Sequence, residues 1–566
     1  MLGHVRLLTS LRRVSCSTTP LKSRTLAKDT KTVPHKLLRP RELSQRLKVL
    51  SDQNKLTDAV ALLKSSPKDA QNVPVWNTLI WQCLKAKQFQ LAFRLYVDVS
   101  LSLHPIPQTH VLKMKRRGFV PNIRTYQTVL NGYAKIDNWA SHSKQLKNMH
   151  AIFQSYMRYR ESMNTETIAD EDDYNAPLTA YFSILGATGL QQKMFDIYYE
   201  LDKEGPFAPN HFLYSSMFRA LSCKEGPSET EKAASAKLLW AQMLKAAKRN
   251  NFPVDSFLVS GAVTALAKGR PADQNFAFQL VRDYFGLVSP PADEGTSGLI
   301  PVERETFASV LILCNTSKRY QAAIDFFNQL LHRPGGSMIV DRAHIETVFQ
   351  AYIALSSEST TAARESVHLL EWMLRQEITM KGGGSHLRPV KFTFDLVLRV
   401  CWQNADWPSA MRTFDLMSGY HAHDFMDGSV AAAPRLDERS NNRNIMPDSE
   451  TLSTILSIAL STKSLAHMRQ ALRIVDYILS TEGGIFQLSR KRAKKQLFFA
   501  RKLADAIVGT VQRVLVAPSS QQSSGEVNRW QYLADEARQT LALMPVKPNL
   551  KFADNSLIPT LTVDRP

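Results

Sequence analysis

One arrangement of apolar residues recurs along this 566-residue chain and limits what it can fold into. In "ETFASVLILCNTSKRYQAAIDFFNQL", residues 305–330, Phe307, Val310, Leu311 and Cys314 fall at i, i+3, i+4 and i+7. "FTFDLVLRVCWQNADWPSAMRTFDLM", residues 392–417, repeats the spacing with Phe394, Val397, Leu398 and Cys401. "VWNTLIWQCLKAKQFQLAFRLYVDV" does so again with Trp76, Leu79, Ile80 and Cys83. That spacing draws one apolar stripe along a helix of about three turns. Sixteen residues after each opening aromatic stands an alanine, Ala92, Ala323 or Ala410. Each alanine begins a second stripe: Leu95, Tyr96 and Val99; Phe326, Phe327 and Leu330; Thr413, Phe414 and Met417. A small side chain there lets the second helix approach the first closely. Neither helix can bury its stripe alone, so the pairs must stack on one another. The expected fold is all-α, an α-solenoid of helix–turn–helix repeats.

Openings of the same kind fall near residues 43, 76, 126, 178, 214, 258, 307, 345, 394 and 452, which predicts about nine to ten degenerate units over 41–480. Insertions break the register near 160–176 ("ADEDDY"), 287–303 ("SPPADEGTSG"), 380–388 ("KGGGSH") and 418–446 ("SGYHAHDFMDGSVAAAPRLDERSNNRN"). Such Gly-, Ser-, Pro-rich or charged runs read as surface loops or disorder, which a solenoid tolerates. Residues 487–545 read as basic C-terminal helices, the last starting near Trp530, and 546–566 as a tail.

The formal net charge is +20. "MLGHVRLLTSLRRVSCSTTPLKSRTLAK" has six Lys or Arg and no acid before Asp29; Leu2, Val5, Leu8 and Leu11 share a helix face beside Arg6, Arg12 and Arg13. This composition fits a mitochondrial transit peptide over residues 1–40, disordered as a presequence, and hence a location in the mitochondrial matrix. Without those residues, which carry nine bases and one acid, the chain keeps +12. A basic remainder points to a polyanionic partner or to a solvated surface. No apolar stretch reaches 18 residues, so no membrane span is expected. Three of the five cysteines, Cys83, Cys314 and Cys401, hold one equivalent stripe position. That spread suits buried thiols and not converging zinc ligands.

Catalytic readings find little support. "DEDD" at 170–173 is contiguous, whereas two-metal sites gather carboxylates from separate elements. His421, His423 and Asp424 lie in a long insertion without a Cys partner, and the glycines 382–384 lack the Gly-Lys-Ser/Thr ending of a phosphate loop. The expectation is a chain without catalytic residues, metal, cofactor or small-molecule substrate.

The unit resembles the pentatricopeptide repeat, a helix–turn–helix of about 35 residues. The resemblance rests on "VWNTLI" at 75–80 and on three junctions of a repeat end with a repeat start: "RGFVPNIRTYQTVLNGYAK" at 117–135, "FAPNHFLYSSMFRAL" at 207–221 and "MPDSETLSTIL" at 446–456. The related tetratricopeptide unit expects Leu-Gly within its first helix, and "WNTLIWQC" has no Gly. The chain looks most like the degenerate, insertion-rich members found in fungal mitochondria. The resemblance implies a right-handed superhelix whose first helices face single-stranded RNA, about one base per unit. It places base-reading side chains just after each opening residue, at Asn77, Gln127, Thr179, Ser215, Asp395 and Ser453, and at repeat ends, Asn122, Asn210 and Asp448. Ala308 offers no reading side chain.

Phosphates would need cations. The densest cluster, "LSRKRAKKQLFFARKLA" at 488–504, holds Arg490, Lys491, Arg492, Lys494, Lys495, Arg501 and Lys502; a second, "KMKRRG", holds Lys113, Lys115, Arg116 and Arg117. Two functions fit. One is a binder of single-stranded mitochondrial RNA in processing, stability, splicing or translation. The other is a helical-repeat scaffold for other RNA-processing proteins, the mitoribosome or its rRNA.

Overall fold

The computed structural model describes residues 39–100, 120–163, 174–288, 298–357, 359–379, 384–429, 433–439, 443–481, 494–516 and 524–543. They are helical and connect as hairpins. The chain divides into two compact units between Pro121 and Asn122. The first contains α1 (Pro40–Asp52), α2 (Leu56–Ser65), α3 (Val73–Lys85) and α4 (Phe89–Ser100). The second contains α5 (Ile123–Tyr133), α6 (Ser143–Glu161), α7 (Ala176–Ala187), α8 (Gln191–Glu200), α9 (His211–Ser222), α10 (Glu229–Asn250), α11 (Ser256–Leu266) and α12 (Pro271–Phe285). It continues with α13 (Arg304–Thr316), α14 (Tyr320–His332), α15 (Arg342–Leu355), α16 (Ala362–Thr379), α17 (Lys391–Asn404), α18 (Trp407–Ser418), α19 (Ser449–Ser461), α20 (Leu465–Thr481), α21 (Lys494–Val516) and α22 (Ser524–Leu543).

Odd-numbered helices are the first members of the hairpins. Within each unit every first helix packs on the next first helix and on its own partner, while second helices meet one another at few steps. This is the α-solenoid that the stripes predict. The stripe residues are its core: Trp76, Tyr126, Leu178, Tyr214, Phe307, Ile345, Phe394 and Leu452 are all buried, as are Ala92, Ala323 and Ala410 at the helix crossings. Ala59 does the same in the first hairpin. Cys83, Cys314 and Cys401 are buried free thiols, and burial pushes the Cys83 thiol up to about 12.

Local chemistry starts and stops these helices. Asn72, Asn122, Asn210, Asp255, Asp341 and Asp448 stand at N-caps, each side chain accepting from the backbone N–H three residues on. Each such cap contributes about 1 kcal/mol. The turn inside the hairpin takes a left-handed residue: Asn54, Lys87, Gly189, Lys318, Ala405 or Lys463. Only Gly189 among them escapes the Cβ clash of that conformation.

Three details differ from the sequence reading. The cap at Asp255 sets the opening residue of α11 at Val259, one residue later than 258, with Val259, Ala262, Val263 and Leu266 buried. The last helix starts at Ser524, and Trp530 is buried in its second turn. The third concerns 418–446, whose described parts are folded and not loose. Tyr420 bridges to Leu436, and Tyr420, Ala422 and Phe425 are buried, with Phe425 against Tyr477 of α20. Gln470 Nε2 donates to the Ala422 carbonyl at 2.7 Å and its Oε1 accepts from Trp407 Nε1 at 2.8 Å. Asp427 accepts from Arg469 at 3.0 Å and from Arg473 at 2.8 Å, and Arg473 also pairs with Glu526 of α22 at 2.7 Å. The insertion thereby joins the ninth hairpin to the tenth and eleventh. His421 is paired with Asp437 and Asp424 with Arg435. Acidic residues 170–173 lie outside the described residues, as do residues 1–38 and the tail from 544.

Candidate nucleic-acid interface

Within each unit a first helix lies against the next first helix and is floored by its own second helix, so one strip of it stays open. Counting from the opening residue of the stripe, the strip consists of the residues two before, one after and five after, which share a helix face. In α3 these are Pro74, Asn77 and Trp81, all at least partly exposed. In α9 they are Phe212, Ser215 and Arg219, and in α17 they are Phe392, Asp395 and Arg399.

The row one residue after the opening shows two different environments. Asn77 in the first unit, and Gln127, Thr179 and Ser215 in the second, are half-buried, each on the strip of its own helix. The Oδ1 of Asn77 is enclosed without a hydrogen-bond partner. The Thr179 hydroxyl donates to the Asn175 carbonyl at 3.1 Å, which leaves its oxygen an acceptor. Further along, the row is occupied by acids engaged with the next hairpin. Thr393 Oγ1 donates to Glu346 at 2.6 Å, and Thr451 Oγ1 donates to Asp395 at 2.8 Å, so the same latch occurs at two successive steps. Lys391 lies 2.6 Å from Asp395, 3.2 Å from Asp448 and 3.4 Å from Glu450. Burial pushes the Asp395 carboxyl up, and the Lys391 ammonium opposes this only in part. Burial would lower Lys391, but the three carboxylates around it hold it above its ordinary value.

Ser453 is a correction. It is fully buried, and its hydroxyl donates to the Glu450 carbonyl at 2.8 Å, so it cannot reach a ligand. The stripe of α19 opens on Leu452, and the crowding of α17 and α21 on either side encloses the next residue as well. The repeat-end residues Asn122, Asn210 and Asp448 cap α5, α9 and α19, with Oδ1 accepting from Thr125, Leu213 and Thr451. Capping uses Oδ1 in each; in Asp448 the second oxygen is turned to the Lys391 ammonium at 3.2 Å.

Of the basic clusters, Lys113, Lys115, Arg116, Arg117, Arg490, Lys491 and Arg492 lie outside the described residues. Lys494 and Lys495 fall in the first turn of α21. Arg501 lies 3.9 Å from Asp505, and the Lys502 ammonium sits 5.6 Å from the centre of the Trp402 ring.

Aromatic residues two before the opening escaped the sequence reading. Phe212, Phe257 and Phe392 hold this one repeat position and are 53%, 57% and 38% exposed, where a helix in the core would leave them buried. The signal was available: an aromatic two residues before the stripe lies off its face. The strip therefore offers flat apolar surfaces beside short polar groups.

The geometry defines an α-solenoid of stacked helical hairpins. No protein-family model matches the sequence, and no curated protein matches it. Among solved structures, the pentatricopeptide repeat protein PPR10 in complex with an 18-nt psaJ RNA element aligns over 91% of this chain and 71% of its own, at 13% identity and a TM-score of 0.31. A triple cysteine-to-serine variant of PPR10 with the same RNA element gives the same values. Among the described residues no helix is long and apolar enough to cross a membrane.

Proposed function

We propose that the chain is a pentatricopeptide-type protein of the mitochondrial matrix that binds single-stranded RNA along the open strip of its first helices. The observation that carries this is the strip's chemistry between α5 and α11. Half-buried Gln127, Thr179 and Ser215 are short or amide-bearing groups suited to a base edge, and exposed Phe212 and Phe257 can stack on bases. The basic balance of the chain supplies the phosphate attraction. A strand held this way cannot pair or be degraded, which serves transcript processing, stability, splicing or translation. The acidic, latched row from Glu346 to Asp395 favours a second reading for the C-terminal hairpins, as a scaffold for protein partners or the mitoribosome.

Two kinds of variant test the RNA reading. Thr179→Asn changes the preferred base at one position with a small loss of overall affinity. Replacing Arg490, Lys491, Lys494 and Lys495 by Ala weakens binding to every single strand. It also flattens the slope of log affinity against log salt, by up to about 0.7 for each phosphate no longer neutralised. The oligonucleotides come from transcripts crosslinked to the protein in isolated mitochondria. Wild type that binds none of them more tightly than roughly 10⁻⁴ M leaves only the scaffold.

A further inference from the structure

The C-terminal end of the strip carries a second kind of surface. Asp395, Arg399 and Trp402 follow one another at i, i+4 and i+7, so Trp402 shares the open face of α17 with the row described above, two turns further along. It is 43% exposed although it lies in a first helix. Two hairpins on, Lys502 of α21 reaches back and places its ammonium 5.6 Å from the Trp402 ring centre. On α19, the helix between them, Ser457 is a short side chain whose hydroxyl donates to the Ser453 carbonyl at 2.7 Å. Phe498 stands one turn before Lys502 on the same face of α21 and is 45% exposed.

We propose that Arg399, Trp402, Phe498 and Lys502 form a stacking platform for one or two nucleotides of single-stranded RNA, distinct from the base-reading row and indifferent to base identity. The proposal rests on the RNA reading above and specifies where the strand leaves that row. At the start of α17 and α19 the row is occupied by Asp395, Asp448 and Glu450 against the single ammonium of Lys391, a net negative edge that repels phosphate. Toward the C-terminal end of α17, where Lys502 of α21 meets Trp402, two cations accompany two exposed aromatics, the pairing that tracks a phosphate backbone while stacking its bases. Trp402 and Phe498 are partly exposed rings, and Arg399 and Lys502 carry only donors. Apart from the Arg399 fork nothing in the set offers paired groups to a base edge, and the two rings stack on any base alike. The strand therefore passes from the polar row in the earlier hairpins to the opposite end of the first helices at α17.

The test uses the full-length protein and fluorescently labelled oligoU and oligoA of equal length. Trp402→Ala and Phe498→Ala should each weaken both ligands by about the same factor, between about 5- and 150-fold. The salt slope should stay at the wild-type value, because neither substitution removes a cation. Trp402→Phe should recover most of the affinity. Lys502→Met should weaken binding and also flatten the slope. RNA carrying 5-iodouridine should crosslink to Trp402 on irradiation, and the crosslink should vanish in the platform variants. Hydrogen exchange of α17 in Trp402→Ala should match wild type, since the ring is 43% exposed. If wild type binds RNA and the Trp402 and Phe498 variants bind it equally well, the platform is refuted while the RNA reading stands. If wild type binds no RNA, both fall. If affinity falls only for one base, Trp402 belongs to base reading and the proposal is wrong.

Discussion

The insertion between α18 and α19 is the place where packing can be tested most sharply, through Asp427→Ala. The Asp427 side chain is 17% exposed and accepts from Arg469, itself 6% exposed, and from Arg473, 18% exposed. Removing one partner of a buried ion pair costs about 3–5 kcal/mol, because the other charge loses its counterion without regaining water. Two features reduce that here. The group is only partly buried, and Arg473 keeps Glu526 at 2.7 Å. The expected loss is about 2–4 kcal/mol, local to the insertion and α20. A repeat array need not unfold in one step, so a single melting temperature is a poor readout. Hydrogen exchange of the segments 419–429 and 465–481 is the assay, and protection there should fall by about 30- to 1,000-fold. The pH dependence provides a second readout. Burial pushes the Asp427 carboxyl up, but hydrogen bonds from Arg469 and Arg473 more than offset it and hold the group below its ordinary value. A carboxyl depressed in the folded state stabilises fully above its unfolded pKa of about 3.9 and loses that stabilisation as pH falls through the folded value. Wild-type and variant protection should therefore converge only on acidification below about pH 4. Equal protection in the two proteins at neutral pH would refute the argument and leave the insertion as a loose surface loop.

Other expectations follow from the hairpins themselves. Ala323→Glu places an uncompensated carboxylate at a closed helix crossing and should cost several kcal/mol, seen as reduced exchange protection in α13, α14 and their neighbours. Ala405 holds φ +50° in the α17–α18 turn, so Ala405→Gly should stabilise the ninth hairpin by up to about 1 kcal/mol in local exchange, the relief of the left-handed strain less the entropy of glycine. Thr451→Val leaves Asp395 without its threonine donor and should cost about 1–2 kcal/mol between α17 and α19, without altering base preference in RNA titrations. N-terminal sequencing of the mature protein should find roughly the first 25–40 residues removed on import; an intact Met1 on cytosolic protein would contradict it.

The stacked pairs were legible because their cause is local. A stripe at i, i+3, i+4, i+7 and an alanine sixteen residues on lie within one hairpin, and the burial of Phe307, Cys314 and Ala323 follows from that spacing. The eleventh hairpin carries the same spacing in Ala500, Leu503, Ala504 and Ile507, but an alanine in place of the opening aromatic masks it. The folded insertion was hidden for a different reason. Tyr420, Ala422 and Phe425 follow no period, and the Arg469 and Arg473 side chains that fix Asp427 lie 42 and 46 residues away. The candidate row suffered in the same way. Asp395 resembles a reading residue until Thr451, 56 residues on, is seen to donate to it. Ser453 reads as polar and accessible until the neighbouring helices enclose it.

The unequal packing of the two helix layers has a mechanical consequence. Within the second unit each first helix grips the next, whereas second helices touch one another at few steps. Each second helix is also seated on the first helix of the following hairpin, as α10 is on α11 and α16 on α17, so bending that keeps the first helices in register falls on those seams. Such a layer acts as an inextensible tape with a soft backing. The rise from one open strip to the next stays nearly constant under load, while curvature varies cheaply. A strand bound along that layer, as proposed above, would meet groups whose spacing changes little with curvature.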